Sequence, residues 1–407
     1  MTARRLLLGG AAAVTTAAAL LLGGALSDGS SEARALPTAS LVTRLDRQGN
    51  AFAQRARRTA DAAYYTKAEL VFRRALRLAP NDLPATIGLG GLALSRHEFR
   101  TGLVLGQRAL ALSPSTAEGY GVVGDALVEL GRYREAFETF NRMVSLKPSV
   151  SSYARVSYAR ELLGDIPGAV QAMRYAVDAA AGEPEALAWS QTQLGKLYWS
   201  HGRSRAAARE YRAALRVRPG YVAALDAFAQ VEAARGHLAR AVSLSRRAAD
   251  VMPLPQYVAS LGDLLRAAND ETGAQRQYAL VAAIARLERA NGVNVDLEIA
   301  LFDVDHGVKL RHALELARVA RGERPSIDGD DLLAWALVRN GRCAEALRFS
   351  TLALRLGTLD ASKFFHRGMI ERCLGHDAAA GQWFKRALEL NPHFSVMWAP
   401  VARRYAS

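Results

Sequence analysis

The stretch from Tyr120 to Pro148 reads YGVVGDALVELGRYREAFETFNRMVSLKP. Two helices joined at Gly131 fit it. Val123, Leu127 and Leu130 before the glycine, and Ala136, Phe140 and Met143 after it, fall three and four apart, the spacing of one helical face. Gly124 and Ala136 are small where one helix must cross another closely. Pro148 ends the second helix. A helical pair this short cannot bury its apolar face alone, so it needs stacked copies.

The copies are in the chain. Aligning on the small, aromatic and proline positions gives ten units, beginning near Gly49, Leu83, Ala117, Val150, Ala188, Val222, Pro255, Asn294, Ile327 and Ala361. The fifth carries Leu194-Gly195, Tyr198, Gly202, Ala207, Tyr211, Ala214 and Pro219. The tenth carries Phe364, Gly368, Gly375, Ala380, Phe384, Ala387 and Pro392. Glycine within a helix costs about 1 kcal/mol relative to alanine, so Gly124, Gly195 and Gly368 require a neighbour packed where a side chain would stand. Phe140, Tyr211 and Phe384 are expected to fill the space between repeats. Most steps are 33 or 34 residues; two, of 38 and 39, follow the fourth and seventh units. The first, at Val177–Pro184, is expected to lengthen the second helix of the fourth unit. The second, at Leu280–Val295, is expected to turn the second helix of the seventh into a longer rod stopped at Asn291-Gly292.

This register resembles the tetratricopeptide repeat family, a helix–turn–helix unit with a period of 34 residues. The resemblance implies an all-α fold, a right-handed α-solenoid of about ten helix–turn–helix repeats over residues 44–394, closed by a C-terminal capping helix in 395–407. It also implies that the first helices line a concave groove, with their second, fifth, ninth, twelfth and thirteenth positions facing a partner. Those positions hold Trp189, Lys196, Trp199, Asp226, Gln230, Asp263, Arg266, Phe302, Asp305, Trp335, Arg339, Phe365 and Arg372. Aromatic residues and arginine are the types that anchor interfaces; the alternative is that some of these pack between helices. The clamp by which one subclass holds chaperone tails is missing, since the second unit has Ile87 and Gly91 where clamp residues belong.

The formal net charge is +14, carried almost wholly by arginine. Such a balance favours anionic partners or a solvated surface. Residues 1–27 read as a signal peptide or an N-terminal membrane anchor: Arg4 and Arg5 precede a run from Leu6 to Leu26 without a charge. Residues 28–43 read as a flexible linker. Either targeting reading places the solenoid outside the cytoplasm, anchored in the cell envelope or secreted. There a disulfide between Cys343 and Cys373 is permitted, with two free thiols as the alternative. These two sit at helix ends that should share one edge of neighbouring helices.

Asp303, Asp305, His306 and His312 form an acidic–histidine group better read as a polar turn than as a metal site, and no metal is assigned. His97, His201, His237 and His376 fall near turns between paired helices. No phosphate loop, nucleophile elbow or paired-cysteine motif appears, and the repeats leave no room for a catalytic domain. No enzyme and no cofactor are expected. The leading function is a scaffold or adaptor in the cell envelope that binds partner proteins or peptides in its groove. The alternative is a binder of an anionic envelope polymer, or an accessory subunit of polysaccharide secretion or assembly. Export argues against nucleic acid, and the membrane is a partner through the N-terminal segment if that is uncleaved.

Overall fold

The structure, a computed structural model, describes residues 37–406. The signal peptide or anchor expected at 1–27 lies outside the described residues. Twenty-one helices follow one another without a strand among the described residues. Ten antiparallel pairs make the repeats: α1 (Pro37–Thr59) with α2 (Ala63–Leu78), α3 (Leu83–Ser95) with α4 (Phe99–Leu112), α5 (Ala117–Glu129) with α6 (Tyr133–Leu146), α7 (Val150–Leu162) with α8 (Ile166–Ala179), and α9 (Pro184–Ser200) with α10 (Ser204–Val217). The series continues with α11 (Val222–Ala234) and α12 (Leu238–Val251), α13 (Pro255–Ala267) and α14 (Glu271–Ala290), α15 (Asp296–His306) and α16 (Leu310–Glu323), α17 (Ile327–Arg339) and α18 (Cys343–Ala353), and α19 (Ala361–Cys373) and α20 (Asp377–Leu390). A short α21 (Trp398–Tyr405) closes the series. The fold is an all-α solenoid of helix–turn–helix repeats.

Repeats 2 to 10 are each joined by the same turn. In repeat 3 Gly131 takes φ 70°, the Gly131 N–H donates to Val128 O, and the Arg132 N–H reaches back to Leu127 O at 2.9 Å. This is the Schellman arrangement, which satisfies carbonyls that the end of α5 leaves without partners. The same return bond recurs as Arg203 to Tyr198, His237 to Glu232, Arg342 to Leu337 and His376 to Glu371. The histidines near these turns are thus turn residues.

The small-residue register is a set of ring contacts. A Cβ on Gly195 would lie 2.5 Å from the Tyr211 ring, and one on Gly368 would lie 2.6 Å from Phe384. Gly124 meets Phe140 and Gly262 meets Tyr278 in the same way. In every case the aromatic lies sixteen residues on, in the second helix of the same repeat, so these rings fill the space within each helical pair.

Three boundaries differ from the sequence reading. Helix α1 begins at Pro37, so the linker assigned to 28–43 ends earlier and the solenoid starts before residue 44. The reason is that Val42 and Leu45 already bury against the core of repeat 1, with Phe72 and Ala75. The 38-residue step does not lengthen α8, which has its ordinary 14 residues; it adds a turn to the front of α9, 17 residues long. Proline at the first position of α9 starts that helix early. The cap is α21 alone, its start fixed by the Ser395 hydroxyl, which accepts from the Met397 and Trp398 N–H groups. The long rod at α14 has 20 residues and ends before Asn291-Gly292 as expected.

The described chain divides into two compact bodies. The larger comprises residues 157–286 and 295–406, the smaller residues 37–156 and 287–294. In the smaller body, Asn294 docks on the turn after α3: its N–H donates to Arg96 O at 3.0 Å, and His97 Nδ1 donates to its carbonyl at 2.6 Å.

The larger body closes on itself. The Thr358 hydroxyl donates to Leu162 O at 2.5 Å, and Asn391 Nδ2 donates to Trp199 O at 2.8 Å. The first bond satisfies a carbonyl at the end of α7; the second is added to a turn bond, since the Trp199 carbonyl also accepts from the Gly202 N–H at 3.0 Å. Gly164 and Gly202 lie at φ +74° and +70°, and a Cβ on either would meet the Gly357 or Leu390 carbonyl oxygen at 2.8 Å. These two positions therefore require glycine twice over, for the turn and for the approach.

Candidate partner-binding site

First and second helices differ in how they are buried. Eleven of the thirteen residues of α5 and of α17 are buried, whereas α6 buries only four of fourteen. A helix buried nearly all round lies inside a core. The first helices thus pack on each other around most of their circumference, and the positions expected to face an open groove are mostly enclosed.

Trp335 is fully buried. It lies edge-on to Trp398 of α21, stacks on His366 with ring centroids 4.5 Å apart, and donates from Nε1 to Asp305 Oδ1 at 2.9 Å. Trp398 Nε1 donates to the same oxygen at 3.1 Å. Phe365 is enclosed by Phe384, Phe394 and Trp398. Asp305, Trp335 and Phe365 therefore anchor the cap in this structure. Trp189 and Trp199 are each 2 % exposed, and the Trp199 carbonyl lies in the closing contact with Asn391.

Gln230 Nε2 donates to Ser260 Oγ at 2.8 Å, one repeat on. Asp125 of the smaller body is used in the same way, accepting from Arg155 at 2.8 Å. A ninth-position polar side chain here meets the next first helix.

Asp263 accepts from Tyr278 Oη at 2.9 Å and meets His306 Nε2 at 2.8 Å. His306 Nδ1 faces the Phe302 carbonyl at 2.8 Å, and Phe302 stacks on the imidazole. A carbonyl can only accept, so Nδ1 donates; the Asp263–His306 contact then needs a proton of its own. Phe302, Asp263 and His306 form a buried cage, and no metal-binding group of three is present among the described residues.

Half-buried or exposed groove residues are Lys196, Asp226, Arg266, Arg339 and Arg372. Arg266 pairs with Glu271 at 3.1 Å and lies over the Tyr278 ring. Arg372 lies 3.8 Å over the Tyr405 ring. Arg339 covers the Trp335 and Trp398 rings at 5.2 and 5.4 Å. Its Nη1, like Nε1 of Trp189, is buried with no hydrogen-bond partner. Burial lowers the pKa of Arg339, while Asp305 acts against that.

A charge cluster lies beside these residues; Asp328 and Asp331 fall on the groove register of the ninth unit, and Lys363, Asp360 and His366 are the members it did not reach. Lys363 Nζ lies 2.6 Å from Asp328 and 2.8 Å from Asp360, and His366 Nδ1 lies 3.0 Å from Asp331. Burial opposes the ammonium of Lys363, but Asp328 and Asp360 outweigh it and raise its pKa well above the usual value. Burial likewise opposes the Asp331 carboxylate, yet His366 holds its pKa below normal. Glu161 faces the same cluster. Burial, then Asp360 and Asp328, push it up to about 7 against the pull of Lys363 and Lys196. A sequence signal existed: Asp328 and Asp331 are three apart on α17, and Lys363 and His366 repeat that spacing 35 residues later.

Cys343 and Cys373 are bridged, with Cα atoms 6.0 Å apart, tying the start of α18 to the end of α19.

The tetratricopeptide repeat family model matches residues 117–150, repeat 3 with its following turn. This supports the tetratricopeptide repeat family. Over 155 residues the chain is 28 % identical to Superkiller protein 3 of Schizosaccharomyces pombe, a stretch covering 35 % of this chain and 11 % of that one. The chain thus spans about a tenth of the length of that relative. Among solved structures it is similar to a thermophilic tetratricopeptide repeat protein of Thermus thermophilus, at 23 % identity over 47 % of this chain and 98 % of the other, with a TM-score of 0.41. It is also similar to a tetratricopeptide repeat protein of Parabacteroides merdae, at 14 % identity over 63 % and 100 %, with a TM-score of 0.42. YrrB, described as having an unusual peptide-binding site, matches at 21 % identity over 45 % and 92 %, with a TM-score of 0.30.

Proposed function

We propose that this protein is a scaffold that binds partner proteins in the cell envelope, through the rim of the first-helix face in its larger body. The observation that carries the reading is the pair of buried donors without partners, Trp189 Nε1 and Arg339 Nη1, both at groove positions. An unmatched buried donor costs roughly 1–3 kcal/mol, a cost that a partner offering carbonyl or carboxylate oxygens removes only by displacing the side chains that cover both atoms. Lys196, Asp226, Arg266 and Arg372 are the charges such a partner would meet around that rim. The enclosed residues Trp199, Gln230, Asp263, Phe302, Asp305, Trp335 and Phe365 set the rim in place. An envelope location is supported by the charge-free run Leu6–Leu26 and by a disulfide, a bond that persists in oxidising compartments.

The test is a photo-crosslinking amino acid at position 196 or 226 in intact cells, with Arg339→Ala as the comparison. A discrete protein captured by the parent and lost on Arg339→Ala is the expected result. Absence of any capture at both positions would overturn the scaffold reading. Capture that Arg339→Ala leaves unchanged would overturn the role given to the rim.

A further inference from the structure

We propose that the outer, second-helix face of repeats 5 and 6 binds a linear polyanion through arginines aligned along α10 and α12. Helix α10 reads SRAAAREYRAALRV. Its arginines, Arg205, Arg209, Arg212 and Arg216, are spaced four, three and four residues apart, so they share one face. All four are exposed, while Ala207, Ala208, Tyr211 and Ala214 bury the opposite face. With a rise of about 1.5 Å per residue, they form a line of roughly 16 Å with a charge about every 5 Å.

The neighbouring α12 adds exposed Arg240, Arg246 and Arg247. Phe228 joins the two rows: Arg212 lies 5.3 Å and Arg240 5.6 Å from its ring centroid. The rows therefore run side by side, with one guanidinium of each held by the same ring.

Local acids do not balance the α10 row. Glu210, the only acid of α10, stands one, two, five and six residues from the four arginines, and none of these is a facing spacing on a helix. It is also half-buried, and burial raises its pKa although Arg209, Arg174 and Arg216 lower it. Elsewhere arginines of second helices, or of the turns before them, are paired locally, as Arg73 with Glu69, Arg132 with Glu135 and Arg342 with Glu345. On α12 the balance is partial, since Arg240 lies 3.6 Å from Glu232 and Asp250 follows Arg246 and Arg247.

Like charges four apart destabilise a helix by themselves. Arg205 with Arg209, and Arg212 with Arg216, are two such pairs, which an external anion would turn into a favourable site. Guanidinium forks match carboxylate and phosphate oxygens in pairs. A row of single-file charges suits an extended chain that repeats its anion along its length better than it suits a flat lipid surface. This face lies on second helices, and the proposal does not rest on the rim reading above; each test can fail without the other.

The probe is sodium alginate, a linear polycarboxylate, titrated into the full-length protein at about 50 and about 200 mM salt. The parent is expected to bind, with affinity falling steeply as salt rises. The R205Q/R209Q/R212Q/R216Q variant should bind at least about tenfold more weakly and lose most of that salt slope. Lysine at the same four positions should keep the slope, and R132Q/R342Q should behave as the parent. Arg209→Glu gives a graded loss and keeps the test decisive if the fourfold glutamine change unsettles the helix. Two results overturn the proposal: alginate binding unchanged in the glutamine variant, or a parent that ignores alginate yet binds vesicles of phosphatidylglycerol and phosphatidylcholine.

Discussion

Gly195 shows how much one absent side chain carries. Within an exposed helix, alanine at this position would add about 1 kcal/mol of stability. Here its Cβ would fall 2.5 Å from Tyr211, a ring only 1 % exposed and unable to move outward cheaply. Overpacking of this kind costs typically 1–3 kcal/mol, so the clash outweighs the propensity. Gly195→Ala should lower stability by about 1–2 kcal/mol in chemical denaturation, and Tyr211→Leu should cost less in that background than in the parent. A Gly195→Ala protein as stable as the parent would contradict the contact. Glu161 gives a prediction in pH. Its folded pKa is about 7 against an ordinary 4.5, so between those values the folded state binds the extra proton. Stability then falls as pH rises through that window, and the cost is fully present above about pH 7. Glu161→Gln should match the parent near pH 4.5 and melt higher at pH 8. Equal melting temperatures at both would show that the cluster does not destabilise the ionised carboxyl.

At the scale of the element, ring and glycine positions such as Gly195, Tyr211, Gly368 and Phe384 were legible in the sequence because they repeat with the period of the helical pair. The closing contacts were not. Thr358 and Asn391 find their partners 196 and 192 residues away, and no short period encodes such a meeting. The groove residues were legible as a row but not as a surface. Trp335 falls on the groove register, yet Trp398 and Phe365 cover it, and the sequence does not say how tightly neighbouring first helices pack. Cysteine spacing was more informative: one residue opens α18 and the other ends α19, and antiparallel neighbours bring those ends together. Their bond closes a loop across 30 residues, for which chain entropy suggests about 3–4 kcal/mol. Reduction, or Cys343→Ser with Cys373→Ser, should lower the stability of the larger body by about 2–4 kcal/mol. Melts with and without dithiothreitol would measure it, and an unchanged midpoint would mean the link adds no constraint there.

For the molecule as a whole, the closing contacts of the larger body change how unfolding should proceed. An open repeat array is held only by nearest neighbours, so its ends fray and its middle melts later. The larger body differs because repeats 4 and 5 are bonded directly to the segments that follow α18 and α20. Opening the C-terminal repeats therefore strips the Leu162 carbonyl of its partner and leaves the Trp199 carbonyl only its turn bond, and the two regions should unfold together. The five tryptophans, Trp189, Trp199, Trp335, Trp383 and Trp398, all fall within this body, so their fluorescence reports it alone. A single denaturant transition in fluorescence is expected for the parent. Thr358→Val leaves the Leu162 carbonyl without its partner, at roughly 1–3 kcal/mol, and Asn391→Ala removes the second bond of the Trp199 carbonyl, at roughly 0.5–1.5 kcal/mol. Their combination should broaden that transition or split it in two, with faster hydrogen exchange at the ends of α7 and α9. If the double variant is destabilised but its transition stays as sharp as the parent's, cooperativity comes from the stacked first helices and not from the closing contacts. A parent that already unfolds in steps would show that these bonds hold only local order.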